Sequence, residues 1–295
     1  MATSDDDRVN LPATLAETGR IVLRSLAPHL ILIAGALLMI YPLIWLFSSS
    51  FKSPAEIFSG NGLLPSRIQF DNYVTGWQGT AVSFGRFMTN SLVISVLAVI
   101  GNTFACSVVA FAFARLDFPL KKLWFALMMG TIMLPHHATL IPQYMLFFNL
   151  GWLNTFLPLV VPKFLAVDAF FIFLMIQFIR GIPRELDEAA LVDGASMALI
   201  YAKIIFPLMR PALVATAIFT FIWTYEDFLS PLVYLTEISL YTVPQGLRLM
   251  MSTTGQGSWG PLLAMSFVSL IPLFVIFLFF QKRLIDGIAT SGLKG

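Results

Sequence analysis

Charge is scarce in this sequence. Asp, Glu, Lys and Arg make up 12% of its 295 residues, where a soluble domain carries about 25%, and 58% of the chain is hydrophobic with a mean hydropathy of +0.83. That composition excludes a domain whose surface is solvated by water alone. Cysteine is nearly absent: Cys106 stands by itself, so neither an intrachain disulfide nor a thiolate metal cluster can form, and small apolar packing is its expected use. The three histidines include the neighbours His136 and His137, which point about 100° apart on a helix and do not share a face, so no metal site is expected. No G-x-x-x-x-G-K-[ST] occurs, so the chain has no P-loop of its own for a nucleotide. No nucleophile and base stand at a compatible spacing, so covalent chemistry is not expected.

Long charge-free runs are what the sequence has instead. About 20 apolar residues cross a hydrocarbon core, and six such runs are present, near Leu30 to Ser50, Asn90 to Ala114, Leu123 to Phe148, Asn154 to Phe178, Pro211 to Leu232 and Pro261 to Phe280. The reading is an all-α integral membrane protein: a polar N-terminal segment, 1–28, without a cleavable signal, and one six-helix domain, 29–295. Prolines at 42, 135, 142, 158, 162, 231 and 272 predict kinks inside the spans. Six spans put both termini on one side, together with thirteen of the 18 Lys and Arg; Lys52, Arg67, Arg86 and Arg248 lie on the other. By the positive-inside rule the termini and the loop 180–209 face the cytosol.

That loop is polar. Residues 185–208 read "ELDEAALVDGASMALIYAKIIFPL". Pro183 suits a first helical position, and Glu185, Asp187 and Glu188 suit a helix N-terminus. Gly194 suits a left-handed stop, Ser196 a cap for a second helix, and Pro207 its end. Leu186, Ala189 and Ala190 share a face, flat enough for another backbone to approach. The hairpin is either a docking surface or an ordinary link between spans four and five.

"EAALVDGASMALIYAKIIFP" fits the pattern E-A-A, three residues, G, nine residues, I, one residue, L-P, with Phe206 in place of leucine. The pattern resembles the signature of the inner-membrane permeases of binding-protein-dependent ABC importers. "TNSLVIS", "LPHHATLIPQYMLF", "GWLNTFLPLVVP" and "FFQKRLIDGIATSGLKG" resemble their carbohydrate branch, the maltose-type permeases. The resemblance implies a type I importer permease fold, with the loop as a coupling helix through Glu188, Ala189, Ala190, Gly194, Ile204 and Pro207. It implies import of a sugar, oligosaccharide or polyol, or of a related solute such as a glycerophosphate. The implied partners are a second permease subunit, two ATPase subunits carrying ATP and Mg, and an extracytoplasmic binding protein; no nucleic-acid partner is expected.

Within the spans, Lys163, Asp168, Glu226 and Asp227 should avoid lipid. Equal depth predicts that Lys163 pairs with Glu226 or Asp227 across spans four and five, whereas Asp168, five residues on, should turn to another face. Two readings stay open: contact with a hydroxylated solute, aided by Trp223 and Tyr225, or internal glue and gating. An ion-coupled secondary transporter would use the same charges, although no inverted repeat is visible. The resemblance also implies that the outer loop 233–260, with its flexible "TTGQGSWG", meets the binding protein through Gln256, Ser258 and Trp259, the last of which also suits an interface anchor.

Overall fold

The computed structural model describes residues 11–60, 62–253 and 259–292, with side chains for 26, 28–60, 62–135, 137–252 and 259–281. Among these residues all regular structure is helical. Three long helices cross singly: α1 (Leu11–Ser49) from Pro28 onward, α4 (Phe84–Arg115), and the first two thirds of α15 (Trp259–Gly292). Between them lie α2 (Pro54–Ser59) and α3 (Asp71–Gln78), then α5 (Lys121–Ile132) and α6 (His136–Asn149). Next come α7 (Leu157–Val160), α8 (Ala169–Arg180), α9 (Glu185–Val192), α10 (Met197–Ile200) and α11 (Phe206–Leu208). The series ends with α12 (Arg210–Glu226), α13 (Leu229–Tyr234) and α14 (Val243–Thr253). Four helical stretches are long and apolar enough to span, Leu157–Arg180 among them, and two bent pairs raise the number to six.

The spans that sequence reads as continuous are interrupted. Span three stops at Ile132 and restarts beyond Pro135, whose missing N–H cannot continue the ladder. Span four begins as α7, tightens into a 3₁₀ turn over Val161–Leu165, and breaks at Ala166, which is left-handed at φ 54°, ψ 44°, before α8 continues the same span. Span five ends at Glu226; Asp227 then accepts the Ser230 N–H at 3.2 Å and opens α13.

Helix α4 is the central post, packed against both α8 and α12. Small and polar residues make that approach possible: Ser95, Ala98, Asn102, Cys106 and Ser107 are buried. Away from water a side-chain amide must find a protein partner. Asn102 donates to Thr220 Oγ1 at 2.8 Å and accepts from the Cys106 thiol at 3.2 Å. Gly101 meets the 3₁₀ turn in span four, and a Cβ there would lie 2.5 Å from the Phe164 ring. Gly101→Val should therefore cut the yield of folded subunit in detergent, and adding Phe164→Ala should restore part of it; native yield from the single variant would show the contact to be slack.

At the end opposite the 185–208 hairpin, the loop helices are anchored. Asn72 is buried and donates to the carbonyls of Ser50 and Lys52, at 2.8 and 3.0 Å. Glu56 accepts the Ser66 N–H and hydroxyl at 2.6 and 2.9 Å, which holds its carboxyl below the usual range. Within the outer loop read from sequence, Ile238–Leu240 and Val243–Thr253 are helical, and most of its "TTGQGSWG" lies outside the described residues. The Val243 N–H donates to Ser91, and Asn90 donates to the carbonyls of Ser239 and Tyr241, each at 2.9 Å. Span two thus supplies the polar partners that let "TVPQGLRLM" form a helix.

Candidate functional site

The hairpin is built as its residue types demand, with three differences. Helix α9 starts at Glu185 with Arg184 as its N-cap, so Pro183 precedes the helix and is not its first residue. Its first turn holds Glu185, Asp187 and Glu188, where the helix dipole favours anions. Gly194 sits at φ 83°; its N–H reaches the Leu191 carbonyl at 3.0 Å, and the Ala195 N–H reaches Ala190 at 2.9 Å, the paired bonds of a Schellman stop. Ser196 caps α10 by accepting the Leu199 N–H at 3.3 Å.

The second difference is at Pro207, which does not close the second leg. Having no N–H, it cannot donate to Lys203, and the chain widens into a π-turn over Tyr201–Ile205 before continuing through α11 to Leu208. The direction then changes by 74° at Met209 into α12. The third concerns the presented face. Ala190 turns inward beside Asp187, packing with Ile200 and Ile205, while Glu185, Leu186, Glu188, Ala189 and Val192 remain exposed. Ile204 and Pro207 are half-buried against the bundle.

An ion pair holds α9 down. Arg115, the last residue of α4, places Nε 2.5 Å from Asp187 Oδ2 and donates from Nη2 to the Ile182 carbonyl at 2.8 Å. Behind the helix lies a cavity of about 190 Å³ lined by Phe111, Arg115, Arg184, Asp187, Glu188 and Leu191, with Met197 and Ile200.

The intramembrane charges are arranged otherwise than their depth suggests. Lys163 binds Asp168 at 2.8 Å, the partner that a straight helix would have turned away. The left-handed break at Ala166 resets the helical register and brings the two positions together, whereas 100° per residue would have set them about 140° apart. Glu226 is exposed at the end of α12, and Asp227, one residue before the N-cap of α13, accepts the Ser230 N–H. Tyr225 is buried and donates to the Ser269 carbonyl at 3.0 Å, which makes it a tie between α12 and α15. Tyr225→Phe should lower the melting temperature of the purified subunit by the worth of one hydrogen bond, about 1 kcal/mol, and leave transport unchanged; a selective loss of transport would return Tyr225 to the pathway. Trp223 is half-exposed and packs with Phe170, Phe171 and Phe219, at ring separations of 5.9, 5.2 and 5.7 Å. Gln256 and Ser258 lie outside the described residues. Trp259 is half-buried edge-on to Phe58 at 5.6 Å.

Residues 106–289 match the family described as "Binding-protein-dependent transport system inner membrane component", a stretch that holds the hairpin, both of its legs and the intramembrane charges. The chain belongs to this family. Among its relatives in the permease family, the trehalose/maltose transport system permease protein MalG of Thermococcus litoralis is 31% identical over 271 residues, 90% of this chain and 97% of that protein. The sn-glycerol-3-phosphate transport system permease protein UgpE of Escherichia coli is 31% identical over 270 residues, 89% and 95% of the two chains. The fold is that of a type I importer permease. A crystal structure of a bacterial ABC transporter involved in import of the acidic polysaccharide alginate superimposes with a TM-score of 0.77 at 23% identity, over 95% of this chain and 99% of that one.

Within this permease, sequence reasoning missed Arg115, Asp187, Ser107 and Tyr201. A signal existed for one of them: Asp187 and Ala190 are three residues apart, so a helix that turns one inward turns both. Nothing in sequence paired Arg115 with a residue 72 positions away.

Proposed function

We propose that this permease imports a carbohydrate, an oligosaccharide or a polyol across the inner membrane by ATP-driven alternating access. It does so with a second permease subunit, most simply a different chain, two ATPase subunits that carry ATP and Mg, and an extracytoplasmic binding protein. The observation that carries the reading is the hairpin: a capped helix, a left-handed glycine stop and a second capped helix that leave Leu186, Glu188, Ala189 and Val192 uncovered at one end of a membrane bundle. Three of those four are apolar, and an apolar face left uncovered on an otherwise polar loop is what a partner would cover. The charge bias of the loops puts that surface in the cytosol with both termini. Gln256, Ser258 and Trp259 then face the binding protein. A carbohydrate is supported by the trehalose/maltose relative, and the glycerol-phosphate relative favours a phosphorylated polyol as the second reading.

Purifying the tagged subunit with its native companions tests both. An ATPase and a second permease should co-elute, and mass spectrometry of the solute retained by the binding protein should find a neutral saccharide; a glycerophosphate would select the second reading. A solitary chain driving uptake from an ion gradient would overturn both.

A further inference from the structure

The hairpin is joined to the bundle through one stripe of α4. Ser107, Phe111 and Arg115 are four residues apart and rise along a single face of the helix. Arg115 holds the first leg through Asp187 and the Ile182 carbonyl. Ser107 and Phe111 hold the second: the Ser107 hydroxyl lies 2.7 Å from that of Tyr201, and the Phe111 and Tyr201 rings are 5.3 Å apart. Ser107 is fully buried, and the Arg115 and Asp187 side chains are 5% and 11% exposed.

An ion pair this deep adds little net stability, because desolvation offsets its attraction. What the guanidinium supplies is position: its Nη2 hydrogen bond to the Ile182 carbonyl orients it, and its charge keeps Asp187 beside it. Tyr201 is the first residue of the π-turn, the place where the second leg would otherwise flex. From its opposite face α4 reaches α12 through Asn102, which donates to Thr220.

We propose that α4 is the lever that the hairpin drives. Ser107, Phe111 and Arg115 fix both legs to this one helix, so a push on the exposed face of α9 moves α4 with the hairpin as one body and carries α12 along. The proposal deepens the ATPase-driven reading above and rests on it. Arg115, Asp187, Ser107 and Tyr201 are positioning residues: they transmit motion and touch no solute.

The test uses the full complex in proteoliposomes, with spin labels on cysteines at Val192, which is 88% exposed on the hairpin, and Ile100, which is 54% exposed on α4. Cys106 is wholly buried and stays unlabelled. The separation should be the same without nucleotide and with a non-hydrolysable ATP analogue. A change of about 5 Å, one helical turn, would show that the hairpin moves on its own and overturn the lever.

Tyr201→Phe is the second arm, since Ser107 keeps its bond to the Phe104 carbonyl and folding is not at stake. Solute moved per ATP hydrolysed should fall about fivefold, as for one lost hydrogen bond, with ATPase association intact. Asp187→Asn should uncouple further. Full coupling in both variants would overturn the lever while leaving the importer reading in place. Absence of any ATPase from the wild-type complex would remove the importer reading and the lever with it.

Discussion

Gly194→Val is expected to abolish transport while the subunit still inserts into the membrane. The site leaves ample room, since a Cβ would meet nothing within 4 Å. The cost is wholly in the backbone: φ is 83°, and a residue with a Cβ resists that conformation by about 1 to 2 kcal/mol, a branched one most of all. That is too little to unfold a bundle of six spans. It is enough to break the two bonds that end α9, to Leu191 and Ala190, and to swing one leg of the hairpin against the other. The surface carrying Leu186, Glu188 and Ala189 is then misaligned. Gly194→Asn, which tolerates the left-handed region, should keep part of the activity. Glu188→Ala should also spare the fold, because Glu188 is exposed and alanine is the better helix former; its effect should appear in ATPase association. Membrane fractionation alongside uptake separates these outcomes, and normal uptake by Gly194→Val would remove the hairpin from the mechanism.

The second large effect is expected at the break in span four. Lys163 and Asp168 are both 27% exposed, so each is partly desolvated and neutralised mainly by the other. Breaking a fully buried pair costs about 3 to 5 kcal/mol, and discounting for this exposure leaves about 2 kcal/mol. Lys163→Met or Asp168→Asn alone should each reduce the assembled complex several-fold. Lys163→Met with Asp168→Asn should recover much of the loss, with a coupling energy of at least about 1 kcal/mol. Lys163→Met with Glu226→Gln should recover nothing, because Glu226 is not the partner. Rescue by Glu226→Gln, together with additive losses at 163 and 168, would contradict the pairing.

What was legible in the sequence was what depends on local chemistry. Apolar runs located α1, α4 and α15, since length and hydropathy alone decide whether a helix can cross lipid. The hairpin was legible because each of its turns uses a residue with few alternatives: acids at a helix start, Gly194 at the stop, Ser196 at the cap. What escaped was set by tertiary contacts. The left-handed break at Ala166 has no glycine to announce it, and an unbroken helix there would turn Asp168 away from Lys163. The order in "TVPQGLRLM" comes from Asn90 and Ser91, about 150 residues earlier in the chain. Pro207 was read as a terminator, yet the π-turn before it lets the helix run on. Tyr225 suits either a sugar contact or internal glue by residue type alone, and only its bond to the Ser269 carbonyl makes it a tie between helices.

The central claim is that the exposed face of the hairpin is where an ATPase takes hold. Placing a photo-crosslinking side chain at Val192 in the purified complex tests it most directly, because that position is 88% exposed and makes no packing contact that the substitution would disturb. Irradiation should join this subunit to the ATPase in high yield, whereas the same probe at Leu38, on the lipid-facing length of α1, should not. Labelling of lipid alone at Val192, in a complex that still hydrolyses ATP and transports, would contradict the account.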